Sequence, residues 1–250
     1  MMIQRAYKNH PFRTTGALGL IIGPILIIVF SFLMPGGGFS AEDPQDVGAV
    51  TRALGGDATM AQISMIAIAL GGALYVLGIA GLARTASAGV AGAWLGFGII
   101  AATASFVVLA SATGLGLAQA SASETAIGGG ASAGTASTVA AALHAGRLGT
   151  LQVGAMVTAL SLIVIGWGAY KGAATPTWWG LIYAVLGVAM LILPWIMPVR
   201  EESGQMIFGL LMFIWAIVTI PAGYYLGKSA ADNPPMAAAV ATAPAGAAKP

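Results

Sequence analysis

The chain contains no cysteine. Disulfides, thiolate metal sites, thiol nucleophiles and iron–sulfur ligation by this chain are therefore excluded, and cysteine usage gives no reading of the redox compartment. Charge is nearly as scarce, at 7% of 250 residues. An ordinary soluble domain carries about 25% charged residues, because hydrated groups must cover its surface. A chain this poor in charge has lipid as its main solvent. The net charge is +2 and the isoelectric point about 9.0. The ten basic residues are nonetheless scattered. Nucleic acid is not an expected partner, since binding it takes a concentrated basic patch that displaces counterions from phosphates.

There are two histidines, His10 and His144. They fall on opposite sides of the expected membrane, so they cannot clasp a haem within one subunit. No histidine–carboxylate cluster has the spacing of a zinc, copper or di-iron site. No metal and no cofactor is expected, and no catalytic residue is assigned. The central portions of the apolar runs hold no Asp, Glu, Lys, Arg or His. Proton relays, ion-coupled carriers and voltage sensors need ionisable groups at that depth. Ion-coupled transport by this chain alone is not expected, and a sodium site of carbonyls and hydroxyls is the one arrangement left open.

What the chain does have is apolar length: 58% hydrophobic residues and a mean hydropathy of +0.89. A membrane-spanning helix needs about 20 mostly apolar residues. Six segments qualify, near 17–35, 59–83, 90–118, 148–170, 178–198 and 205–227. None shows the period-2 alternation of a membrane β-barrel. Pro24, Pro194 and Pro221 are tolerable inside them, because neighbouring helices can satisfy the freed backbone groups. With the N-terminus inside, Arg5, Lys8, Arg13, Arg84, Lys171, Lys228 and Lys249 face the cytoplasm. Arg52, Arg147 and Arg200 lie outside, so seven of the ten basic residues are inside and three outside. This bias orients an even number of spans with both ends cytoplasmic. Trp178, Trp179, Trp195, Tyr170, Tyr224 and Tyr225 fit an interfacial aromatic belt.

The expected fold is thus an all-α integral membrane protein, a six-helix bundle with both termini cytoplasmic, in a bacterial cell membrane. A cytoplasmic arm (1–16) precedes the membrane domain (17–228), and an Ala/Pro-rich, disordered tail (229–250) follows it. The first apolar core, of about 18 residues, exceeds the 7–15 of a signal peptide and lacks a clean Ala-x-Ala site, which favours an uncleaved helix. A weak repeat relates 59–84 to 150–171: each opens on Thr and Gln, ends in a basic residue, and precedes a Trp-bearing helix.

Two polar connections stand out. In "GGGFSAEDPQDVGAVTRALGGDA" (36–58), the spacing of Glu42, Asp43 and Asp46 is not that of an EF-hand loop. Residues 44–54 form an expected short interfacial helix with Asp43 as N-cap and Pro44 at its first position. In "AIGGGASAGTASTVAAALHAGRLGT" (126–150), neither the P-loop pattern nor G-x-G-x-x-G is met. Residues 126–137 read as a flexible connector, and 138–150 as the start of a helix capped by Ser137 or Thr138. On that helix His144 and Arg147, at i and i+3, share a face that continues toward Thr150 and Gln152. Gln62 and Gln119 lie at similar depth on their own helices. These five residues (His144, Arg147, Gln152, Gln62 and Gln119) form a candidate outer-leaflet polar vestibule. The competing reading is that they mark the water–headgroup boundary, where lipid phosphates also attract Arg and His.

Small residues recur at four-residue spacing, as in Gly19/Gly23, Gly92/Gly96, Gly168/Gly172 and Gly223/Gly227. Such faces let helices approach closely, and Ser and Thr can hydrogen-bond across them. With no intramembrane charges or ligands, the first expectation is a non-catalytic structural or accessory subunit. It would pack against other membrane subunits, or a copy of itself, as well as membrane lipids. The alternative is a binder or passive carrier of a small apolar or amphipathic ligand, a lipid or quinone. A membrane enzyme would need an outer-face site using His144.

Overall fold

The computed structural model describes residues 11–36, 42–85, 89–172, 175–198 and 201–232. They form seven helices: α1 (Pro11–Leu33), α2 (Val47–Gly56), α3 (Ala58–Thr85), α4 (Val90–Ile127), α5 (Ala133–Lys171), α6 (Thr177–Ile196) and α7 (Glu202–Asp232). Continuous apolar runs become helices because a helix satisfies every backbone polar group within the segment. Five of them, α1, α3, α4, α5 and α7, are long and apolar enough to cross a membrane. α6 is shorter, with an apolar stretch over Thr177–Leu193.

Six helices stand antiparallel in a ring, in the order α1, α3, α4, α5, α6, α7 and back to α1. Small residues set the spacing. A Cβ placed on Gly23 of α1 would sit 2.7 Å from the Gly71 carbonyl oxygen of α3, and one on Gly19 would run into the Leu74 carbonyl. On α6, a Cβ on Gly187 would lie 2.7 Å from the Ala159 oxygen of α5, and Gly180 meets the Tyr170 backbone. Gly223 of α7 closes the ring, where a Cβ would be 2.7 Å from the Ala17 oxygen of α1. The small-residue faces around Gly19/Gly23, Gly168 and Gly223 are therefore consumed inside the bundle. A Cβ on Gly96, by contrast, meets open space.

The exterior is as apolar as the interior, unlike that of a water-soluble protein. Ser64, Ser105, Gln119, Thr158, Ser161 and Thr219 are buried, whereas Leu70, Leu77, Phe97, Ile100, Val107, Val185 and Ile217 are exposed. Ser105 and Thr158 pair across α4 and α5 at 2.6 Å. Leu162, Ile165, Trp179, Tyr183 and Met190 fill the core between α5, α6 and their neighbours.

Several sequence expectations change. The spans placed at 90–118 and 148–170 are parts of α4 and α5, which run nine residues further and begin fifteen residues earlier. The expected connector 126–137 shrinks to 128–132. Its turn uses Gly129 and Gly130 at φ +76° and +90°, a region that side chains rarely adopt. Ala- and Ser-rich flanks that read as linker have adequate helix propensity once they pack in a hairpin. Ser132, not Ser137 or Thr138, precedes α5, and the Thr138 hydroxyl donates back to the Gly134 carbonyl at 3.1 Å. The short helix begins at Val47 rather than 44; its cap is Asp46, whose carboxylate accepts from Ala49 N at 2.9 Å. Asp43 instead accepts from Gln45 N at 2.9 Å, a local turn. Trp179 is not at a boundary but fully buried, its Nε1 donating to the Val218 carbonyl at 2.7 Å. α1 begins within the expected arm and α7 runs to Asp232. His10 and the tail from 233 lie outside the described residues.

Candidate functional site

The ring encloses an elongated cavity of about 190 Å³. Five of the six ring helices line it, together with the segment that leads into α2. Ile27, Met65, Ile68, Phe106, Leu109, Leu151, Phe208 and Met212 give it an apolar wall. On α5 the lining runs from His144 to Thr158. Fourteen residues at about 1.5 Å rise make this roughly 21 Å. Both ends are built differently from the wall.

At the α2 end, the first turns of α5 present His144 and Arg147 on one face, as their i, i+3 spacing requires. α2 and the preceding residues fold over them, so that His144 is 4% and Arg147 8% exposed. His144 Nε2 lies 2.8 Å from the Pro44 carbonyl oxygen. A carbonyl can only accept, so Nε2 carries the hydrogen. Nδ1 is then the acceptor, and the Gln119 side-chain nitrogen, 3.1 Å away, donates to it. This pattern is that of neutral imidazole in its Nε2–H form. His144 thereby joins α4, α5 and the α2 segment through one ring. The Gln119 carbonyl oxygen is buried with no hydrogen-bond partner among the described residues.

Arg147 is placed differently. Its Nη2 approaches the Met34 sulfur at 3.7 Å, a weak acceptor. No carboxylate of the described residues forms an ion pair with it. Its stem passes Gly116, where a Cβ would sit 2.8 Å from Met65 Sδ and 3.5 Å from Arg147 Cδ. Glu42 lines the same mouth of the cavity and is half-buried. The neighbouring acids are occupied by backbone: Asp46 caps α2, and Asp57 accepts from Met60 N at 3.1 Å at the start of α3.

The opposite end is closed by a knot of aromatic and hydroxyl groups. Trp215 Nε1 donates to Tyr183 Oη at 2.8 Å. Tyr183 also meets Tyr75 Oη at 2.9 Å and Thr219 Oγ1 at 3.0 Å. Tyr75 stacks edge-on to Trp215 with centroids 5.0 Å apart, and Trp179 lies parallel to Tyr183 at 4.5 Å. Tyr75 and Trp215 face the cavity as its floor.

Of the five residues singled out from sequence, the structure brings His144, Arg147 and Gln119 together. Only His144 and Arg147 line the cavity. Gln62 donates to Ser121 Oγ at 3.2 Å and ties α3 to α4 outside the lining. Gln152 is half-buried on α5, also outside the lining. Sequence reasoning missed Met34, Glu42 and Pro44 as the cover, and Tyr75, Tyr183 and Trp215 as the floor. For the floor a signal was available: a tyrosine well inside an apolar run must find a partner for its hydroxyl. No protein-family model matches the chain, and neither a curated relative nor a solved structure of similar fold was found.

Proposed function

We propose that this protein binds a small apolar or amphipathic ligand taken from the membrane and holds it in the central cavity. The observation that carries this is the cavity itself: apolar along its wall, with His144 and Arg147 at one end and Tyr75 and Trp215 at the other. Ligand sites are typically concave and mostly apolar, with a few placed polar groups. A volume of about 190 Å³ exceeds the ~150 Å³ cavity that admits benzene in a closed core. In this reading all six ring helices, α6 included, span a bacterial cell membrane with their exposed apolar faces toward lipid. Both chain ends are cytoplasmic, supported by Arg84, Lys171 and Lys228 at the end opposite α2.

Trp215 provides the test. In detergent, a brominated long-chain alcohol should quench tryptophan fluorescence with a saturable component, and Trp215→Phe should remove that component. Quenching that rises linearly with bromide and is the same in both proteins would overturn the reading.

A role as a subunit packing against other membrane proteins has one specific support, the α4–α5 hairpin. α4 has 38 residues, about 57 Å at ~1.5 Å each, against a hydrocarbon core of ~30 Å. The hairpin tip offers the exposed side chains Ile127 and Val139 beyond that core. Co-purification of a second chain that is lost when residues 124–136 are replaced by a short Gly/Ser turn would favour it. Recovery of the protein alone, in both forms, would oppose it.

A further inference from the structure

Among the described residues Arg147 is a charged side chain buried at the cavity mouth without a counter-ion, and this points to the head of the ligand. We infer that the site takes a single-chain amphiphile with a singly charged acidic head, a carboxylate, which pairs with Arg147 while the chain runs toward Tyr75 and Trp215. The inference rests on the ligand-binding reading above and specifies its chemistry.

Arg147 is always protonated and offers five N–H donors in a planar fork that matches two oxyanion oxygens. Its hydrogen-bond partner among the described residues is the Met34 sulfur at 3.7 Å, although the residue is only 8% exposed. A buried cation in this state is stabilised by an anion delivered to it. The nearby imidazole does not compete for that anion. Its Nε2–H is committed to Pro44 and its Nδ1 to Gln119. Glu42, at the same mouth, is half-exposed and disfavours a second negative group, which argues for one compact acid rather than a polyanion. The slot holds about 190 Å³ over roughly 21 Å of α5. That volume suits one hydrocarbon chain better than the two chains of a phospholipid.

The experiment is competition of dodecanoate, dodecanol and dodecylamine against the brominated alcohol, at pH 8, on the full-length protein in neutral detergent. Dodecanoate is expected to bind at least tenfold more tightly than dodecanol, and dodecylamine no better than dodecanol. Arg147→Gln should abolish the preference for the acid while leaving dodecanol binding within about twofold, and Arg147→Lys should retain most of it. If acid and alcohol bind alike in the wild type, or the amine binds as well as the acid, the acidic head is wrong although the cavity still holds a ligand. If none of the three competes, the ligand-binding reading fails with it. In phosphatidylcholine vesicles, adding phosphatidylglycerol should not displace dodecanoate. Displacement in proportion to the added lipid would assign Arg147 to a bilayer headgroup and overturn the single-chain ligand. Ala69 of α3 lines the slot, and Ala69→Phe, which fills it and keeps Arg147 in place in the sequence, should weaken acid and alcohol equally. Unchanged binding in that variant would place both outside the cavity.

Discussion

At the scale of single residues, burial converts ordinary interfacial side chains into constrained ones. His144 would be unremarkable at a water–headgroup boundary. Between Gln119 and Pro44 it is held in one tautomer and links three segments. His144→Ala strands the Gln119 amide and the Pro44 carbonyl, and leaving buried partners unsatisfied costs about 1–3 kcal/mol each. We expect a lower thermal midpoint in detergent and faster proteolysis at 42–46. An unchanged midpoint with unchanged proteolysis would show that the ring does not hold the cover. Tyr183→Phe makes a parallel case at the floor, where Trp215 Nε1 loses its acceptor. The same principle predicts a loss of about 1–3 kcal/mol, read as a reduced midpoint. The shared face of His144 and Arg147 was legible from their i, i+3 spacing alone. Their cover was not, because Pro44 reaches His144 across a separation of 100 residues.

At the scale of elements, the spacing of the helices is set by glycine, and the cover by one cap. A methyl group on Gly23 must displace backbone of α3 rather than a flexible side-chain end. Overpacking of this kind costs roughly 1–3 kcal/mol. Gly23→Ala should therefore lower the thermal midpoint measurably, whereas Gly96→Ala, which meets open space, should not. Equal effects would remove glycine contact as the determinant of ring spacing. Asp46→Ala should cost α2 its side-chain cap, about 1 kcal/mol. Faster amide exchange confined to 47–56 would report it. Helix existence was readable from apolar length, but the extents of α4 and α5 were not. Residues 119–127 and 133–147 are small and polar, so a hydropathy window ends before them. Their helicity depends on packing in a hairpin and under α2, which is tertiary information. The cap shifted from Asp43 to Asp46 for a similar reason, since both are plausible by residue type and only the chain's path decides.

At the scale of the whole molecule, the arrangement is a ring whose close helix contacts leave a central slot. Small residues at the α1–α3, α5–α6 and α7–α1 contacts bring these helices close, and α1, α3, α4, α5, α6 and α7 follow in sequence around it. Polar groups cluster at the two ends of the slot, with Arg147 and His144 at one and the Tyr75–Tyr183–Trp215 knot at the other. From the sequence, glycine spacing indicated close packing but not which partners it served. Surfaces that suggested an outside subunit are largely spent within the chain. Which helices meet is a property of ring order, and periodicity in one helix does not carry it.

The measurement that bears most directly on the ligand-holding cavity is native mass spectrometry of the protein extracted gently from its own membrane, beside Ala69→Phe prepared identically. One retained small amphiphile per chain is expected in the wild type, and its loss in the variant while the variant's thermal midpoint stays within a few degrees. A wild-type protein that carries no small molecule, or a variant that retains the same adduct to the same extent, would contradict it.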